Sequence, residues 1–200
     1  MDSSLILKFE ADIVLNDNAR AIKAYWAIRA GEPLGEDWFP RVIWADNGAG
    51  LVKTLPDFFC VEGYWIMSKR CADVLLQFDM GRGALYPVKA FQNDRTTQIE
   101  GEFFCLSFGN QKAALMKSQS PRLRDGKLGD GSWLLPFVLN DRDITVLPQA
   151  LDGPDLWIDP RVRRAIFGSG RLVKALKEAG LARAFSFKTC LVNYANTEDQ

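Results

Sequence analysis

Two stretches, Trp65-Ile66-Met67-Ser68-Lys69-Arg70-Cys71-Ala72-Asp73-Val74-Leu75-Leu76-Gln77-Phe78 and Ala165-Ile166-Phe167-Gly168-Ser169-Gly170-Arg171-Leu172-Val173-Lys174-Ala175-Leu176-Lys177-Glu178-Ala179, read as one small unit written twice. Ser68 matches Ser169, Arg70 matches Arg171 and Leu75 matches Leu176. Each copy opens on an apolar run of strand character and then places a serine where its hydroxyl can accept from first-turn amides. Helical periodicity follows, and a second apolar run, Ala84 to Ala90 in one copy and Ala182 to Phe187 in the other, reads as a returning strand. Neither copy carries an obvious reactive group. The serines are therefore read as helix caps, and the duplication as architecture.

Working outward, Leu5 to Leu15 reads as an opening strand or hairpin. Asn16, Asp17 and Asn18 offer caps for a helix that Gly31 stops, and its apolar spacing predicts docking through Ile22 and Trp26. Arg41 to Ala45, Glu102 to Phe108, Trp133 to Leu139 and Ile144 to Leu147 read as strands. Ser118 to Asp130, rich in Pro, Gly and charge, reads as a mobile loop or lobe boundary, and the tail after Asn193 as frayed. The pattern predicts an α+β protein of mixed or antiparallel sheets with a few helices. Its 200 residues form one domain, or two packed lobes of about 1–115 and 116–200.

Histidine is absent from all 200 residues, which removes Ser-His-Asp and Cys-His catalysis and every histidine-ligated metal site. The cysteines, Cys60, Cys71, Cys105 and Cys190, contain no CxxC pair, so they predict reduced, mostly core residues and neither a metal nor a cofactor. Lys plus Arg equals Asp plus Glu at 25 each, so no global field gathers nucleic acid. No apolar run approaches membrane-spanning length, and the amino terminus lacks a basic leader, which together predict a cytoplasmic chain.

The remaining chemistry is thin. Gly168-Ser169-Gly170 is the closest approach to a phosphate cradle but lacks the glycines and lysine of the known nucleotide loops. Arg122, Arg124 and Lys127, with Lys117 before them, lack stacking aromatics and read as a solvated loop. The acidic pairs Asp141/Asp143 and Asp152/Asp155 lie in turn-rich sequence where aspartate serves local hydrogen bonding, so a small carboxylate-dependent enzyme is the weaker reading. A non-enzymatic scaffold or adaptor is a third. The loop Gly31 to Pro40 instead sets Glu32, Glu36 and Asp37 beside Trp38 and Phe39, a combination suited to contacting a basic partner surface; the plainer alternative turns both aromatics inward and leaves the acids solvated.

The block Asp155-Leu156-Trp157-Ile158-Asp159-Pro160-Arg161, followed by Ile166 to Leu181, resembles the immunity proteins of bacterial polymorphic toxin systems, in particular immunity family eleven. In that family an Asp-Leu-Trp segment precedes a strand, a serine-capped helix ending Lys-x-Ala-Gly-Leu, and a closing strand. Leu55-Pro56-Asp57-Phe58 and Trp65-Ile66-Met67-Ser68 are similar to its middle region, and the matches together span about two thirds of the chain. Gly168-Ser169-Gly170 departs from the family's plain junction between strand and serine. The resemblance implies a cytoplasmic antidote that binds and blocks a cognate toxin, such as a nuclease or another intracellular enzyme, with no catalytic residue and no cofactor. Glu32, Glu36, Asp37 and Trp38 are the candidate contacts.

Overall fold

The computed structural model describes residues 9–46, 50–126, 131–163 and 165–194; of Arg163 only the backbone is described. Its centre is a six-stranded mixed sheet in the order β1-β2-β5-β6-β4-β3, formed by β1 (Phe9–Ala11), β2 (Val42–Ala45), β3 (Phe58–Val61), β4 (Tyr64–Ser68), β5 (Ala84–Phe91) and β6 (Phe103–Ser107). The pair β2 and β5 is parallel and every other pair in this sheet is antiparallel. This is the α+β architecture that the sequence predicts.

The β3–β4 hairpin shows how local sequence sets the register. Its two-residue turn, Glu62-Gly63, holds both residues at positive φ, 49° and 96°, as a tight turn matched to strand twist requires. The turn packs against the ring of Tyr25, where a β-carbon on Gly63 would approach within 2.5 Å, and the Glu62 carboxylate accepts from the Ala11 amide at 2.8 Å. Register then pairs Phe58 with Met67, directly before the capping Ser68.

The amino-terminal prediction is corrected: after the short β1 the chain enters a helix, α1 (Asp12–Asn16), where a strand or hairpin was expected. Residues 1–8 lie outside the described set. Next comes α2 (Asn18–Ala30), with Asp17 accepting from the Arg20 amide and Gly31 closing the helix in the left-handed conformation. Glycine is required at position 31, because a β-carbon there would meet the Asn110 carbonyl oxygen and Ile158 at 2.8 Å.

The two copies of the repeated unit superpose in their bonding. Ser68 caps α3 (Lys69–Leu75) through the Cys71 amide, and Ser169 caps α4 (Gly170–Glu178) through the Leu172 amide. Before each hairpin stands a Pro-Asp pair, Pro56-Asp57 and Pro154-Asp155. The backbone amides of Ser68 and Ser169 donate to the carbonyls of Asp57 at 3.0 Å and Asp155 at 2.8 Å, and the hydroxyls donate to the same aspartates' carboxylates. In the second copy β10 (Leu156–Trp157) pairs with β12 (Phe167–Gly168), Leu156 opposite Gly168, as Phe58 stands opposite Met67 in the first. Helices α3 and α4 lie against each other. The returning segments differ, for 84–91 is strand β5, whereas 182–185 forms a short helix, α5, in place of the expected strand.

Burial gathers into two clusters. The larger, around Ile43, Ile66, Met67, Leu75 and Leu106 on the central sheet, also takes in Leu156, Ile158, Leu172, Leu176 and Leu181 from the carboxy-terminal copy. The smaller collects Leu115, Leu123, Ile144, Val146, Trp157, Val162 and Phe167, with the Trp157 and Phe167 rings stacked at 4.3 Å. Around it run short strands: β7 (Arg124–Asp125), β8 (Trp133–Leu134) and β11 (Val162–Arg163) in one sheet, and β9 (Thr145–Val146) with β13 (Leu191–Val192) in another. The expected strand over 133–139 is thus confined to two residues, and Phe137 beyond it is fully exposed.

Candidate functional site

The loop after α2 is held from beneath and bare above. The Glu32 amide donates to the Ala27 carbonyl at 2.9 Å, and the Tyr86 hydroxyl donates to the Leu34 carbonyl at 2.8 Å. Phe39 is 3% exposed, wedged between Tyr64 and Tyr86 at ring separations of 5.9 and 5.0 Å. Trp38, in a single 3-10 turn over Glu36–Trp38, is half-buried against the main core, with the Arg20 guanidinium 5.5 Å above its ring. Arg20 also donates to the Asp37 carbonyl at 3.1 Å and lies 3.7 Å from its carboxylate.

Of the four candidate contacts, Glu32, Glu36 and Asp37 are exposed, while Trp38 is half-buried beneath Arg20 and offers only part of its face. The acids form a local negative field: burial first, then Glu36 and Asp37, raise the Tyr86 hydroxyl above its ordinary range. The loop is therefore a fixed acidic rim on an aromatic base.

Helix α2 corrects a further expectation. It docks through Ala21, Ala24 and Ile28, and leaves Ile22 and Trp26 more than half exposed, at 52% and 54%. Ile22 and Trp26 face outward because Ala21 and Ala24 allow a close approach that they would block, and Ile28 fills the contact beyond. The end of this face opens on a groove of about 280 Å³ lined by Trp26, Arg29, Ala30, Gly131, Pro160 and Arg161.

The other features weighed from sequence are held in structural bonds. Asp155, 1% exposed, accepts two hydrogen bonds from Arg171 at 2.6 and 2.7 Å, one from Ser169 and one from the Asp79 amide at 2.9 Å. Burial pushes this carboxyl up, but Arg171, Ser169 and the amide outweigh it and hold it below the ordinary carboxylate range. The Gly-Ser-Gly junction is thus an N-cap with a carboxylate beside it, which opposes an anion. Asp141 accepts from the Thr189 amide, and Asp143 from Arg122 and the Asn140 amide. Lys117 lies 3.2 Å from Asp125, and Lys127 lies outside the described residues.

Cys71 and Cys105 are buried, but Cys60 is exposed and Cys190 half-buried, which corrects the expectation of mostly core cysteines. Burial pushes Cys71 up to about 12 and Cys190 to about 11, so these thiols stay protonated at neutral pH. Sequence reading also missed Asn110, whose buried amide donates to the carbonyls of Met80, Phe108 and Leu156 and accepts from the Arg82 amide, fastening β10 to the central sheet. No local pattern marks it, since each partner is distant in sequence or a bare backbone atom. No helix among the described residues is long and apolar enough to cross a membrane. No protein-family model matches the chain, and no curated protein matches it.

Proposed function

We propose that this chain is an immunity-type protein that binds a cognate toxin in the cytoplasm and occludes its substrate site, with the acidic rim at Glu32, Glu36 and Asp37 facing a basic cleft. The observation that carries the reading is that residues behind the resemblance, Asp155, the strand that follows it and the capping Ser169 with Arg171, interlock as one bonded unit, and that Asp57 and Ser68 repeat the bond in the first copy, with Arg70 beside Asp57. They therefore constitute a framework, which is what a family defined by fold and differing in binding surface requires. The acidic rim supports the choice of contact: on a chain of zero net charge, complementarity to a basic cleft has to come from a local patch.

Co-expression tests it. The product of the reading frame adjacent to this gene should arrest growth alone, and growth should return with the wild-type chain. Glu36→Lys combined with Asp37→Lys should abolish rescue while leaving the fold intact; Trp38 is kept, because it packs on the core. An adjacent product that is harmless, or that the wild-type chain does not neutralise, refutes the reading. Full rescue by the double variant removes the rim as the contact.

A further inference from the structure

The outward face of α2 is a second feature that the framework does not explain. Ile22 and Trp26 are a turn apart and over half exposed, and beyond Trp26 the groove runs between the helix end and the segments holding Gly131 and Pro160-Arg161. Interface anchors are enriched in tryptophan and arginine, and both are present here. Arg29 is preset: its guanidinium lies 4.9 Å over the Tyr25 ring and one nitrogen donates to the Tyr25 hydroxyl at 3.0 Å. Arg161 forms the opposite wall, fixed 4.8 Å over Trp133 and bonded to the buried Asp159. Asp159 offsets the charge of Arg161, but among the described residues neither Lys23 nor Arg29 has a carboxylate within ion-pair distance.

We infer that this face is a docking site for an acidic, aliphatic-bearing segment of a partner protein. The segment would lay apolar side chains along Ile22, Trp26 and Ala30 and place carboxylates at Lys23 and Arg29, in the manner of a helix lying in a groove. Charge complementarity selects the occupant. A second copy meeting through the same face would set Lys23 and Arg29 against their own equivalents. A nucleic acid would need a run of stacking rings and a wider basic field, whereas this face has one exposed ring and the chain has zero net charge. The inference stands apart from toxin neutralisation and requires only that the face bind protein.

The test uses the full chain and a fluorescein-labelled peptide of about 16 residues with Glu and Leu at helical spacing, beside a Lys/Leu counterpart and an oligouridine of similar length. Fluorescence anisotropy should show saturable binding of the acidic peptide alone. Lys23→Glu with Arg29→Glu, and separately Trp26→Ala, should each weaken it at least about tenfold. Leu76→Ala, at an exposed apolar site elsewhere, should bind as wild type does. Circular dichroism should show all variants folded, because Lys23, Trp26 and Leu76 are exposed and Arg29 bonds to Tyr25 of its own helix. The inference is overturned if the acidic peptide fails to bind, if the variants bind it unchanged, if the basic peptide or oligouridine binds more tightly, or if sedimentation shows self-association that Trp26→Ala abolishes.

Discussion

Asp155 carries more of the fold than any residue flagged as chemical in the sequence. Its buried carboxylate joins the cap of α4, the approach to β10 and the segment at Asp79. Asp155→Asn should cost about 1.5–3 kcal/mol at neutral pH, because the bonds to a charged acceptor are lost and Arg171 faces an amide. Its counterpart Asp57 is a third exposed, with Arg70 at a single 3.4 Å approach, so Asp57→Asn should cost about 1 kcal/mol or less. Urea unfolding of both variants measures the difference. Because the Asp155 pKa is depressed in the fold, its contribution is fully present above the unfolded value of about 3.9 and is lost as pH falls through the lower folded value. The gap between wild type and Asp155→Asn should therefore be constant from neutral pH down to about 5 and narrow below about 4. The capping serines were legible in sequence because a cap is a local bond. The aspartate was read as a turn residue, because its bond to a serine 14 positions on exists only once β10 and β12 have paired.

At the scale of elements, α3, β5, β6 and the extent of α2 followed from periodicity and stop signals, while the orientation of α2 did not. Apolar spacing favoured Ile22 and Trp26 as the docked side, yet the buried side is the alanine side. Small residues carry little hydrophobic signal, and only tertiary closeness selects them. Ile22→Ala and Trp26→Ala should leave thermal stability nearly unchanged, within about 0.5 kcal/mol. Ala24→Leu, at a site with no exposure, should destabilise by about 1–3 kcal/mol through overpacking. Trp157, 3% exposed, should cost about 3–5 kcal/mol on truncation to alanine. Trp65 is half-buried and stacked on Phe58 at 4.9 Å, so its truncation should cost less. Residues 182–185 were read as strand from their apolar content alone; Ala182, Arg183 and Ala184 are good helix formers, and α5 presents Phe185 to Phe58, stacked at 4.5 Å.

At the scale of the whole molecule the duplicated units form an internally bonded framework, and two surfaces outside it differ in sign. The rim at Glu32, Glu36 and Asp37 is acidic, and the α2 face at Lys23, Trp26 and Arg29 is cationic and apolar. The rim could be proposed from sequence because its residues lie within one short loop; the α2 face could not, because it depends on which side of a helix is covered. The most direct measurement on the central proposal is calorimetric titration of the purified chain with a catalytically inactive form of the adjacent reading frame's product. The account predicts a saturable complex of equal stoichiometry, weakened by added salt and by Glu36→Lys with Asp37→Lys. Absence of any complex with the wild-type chain would contradict it.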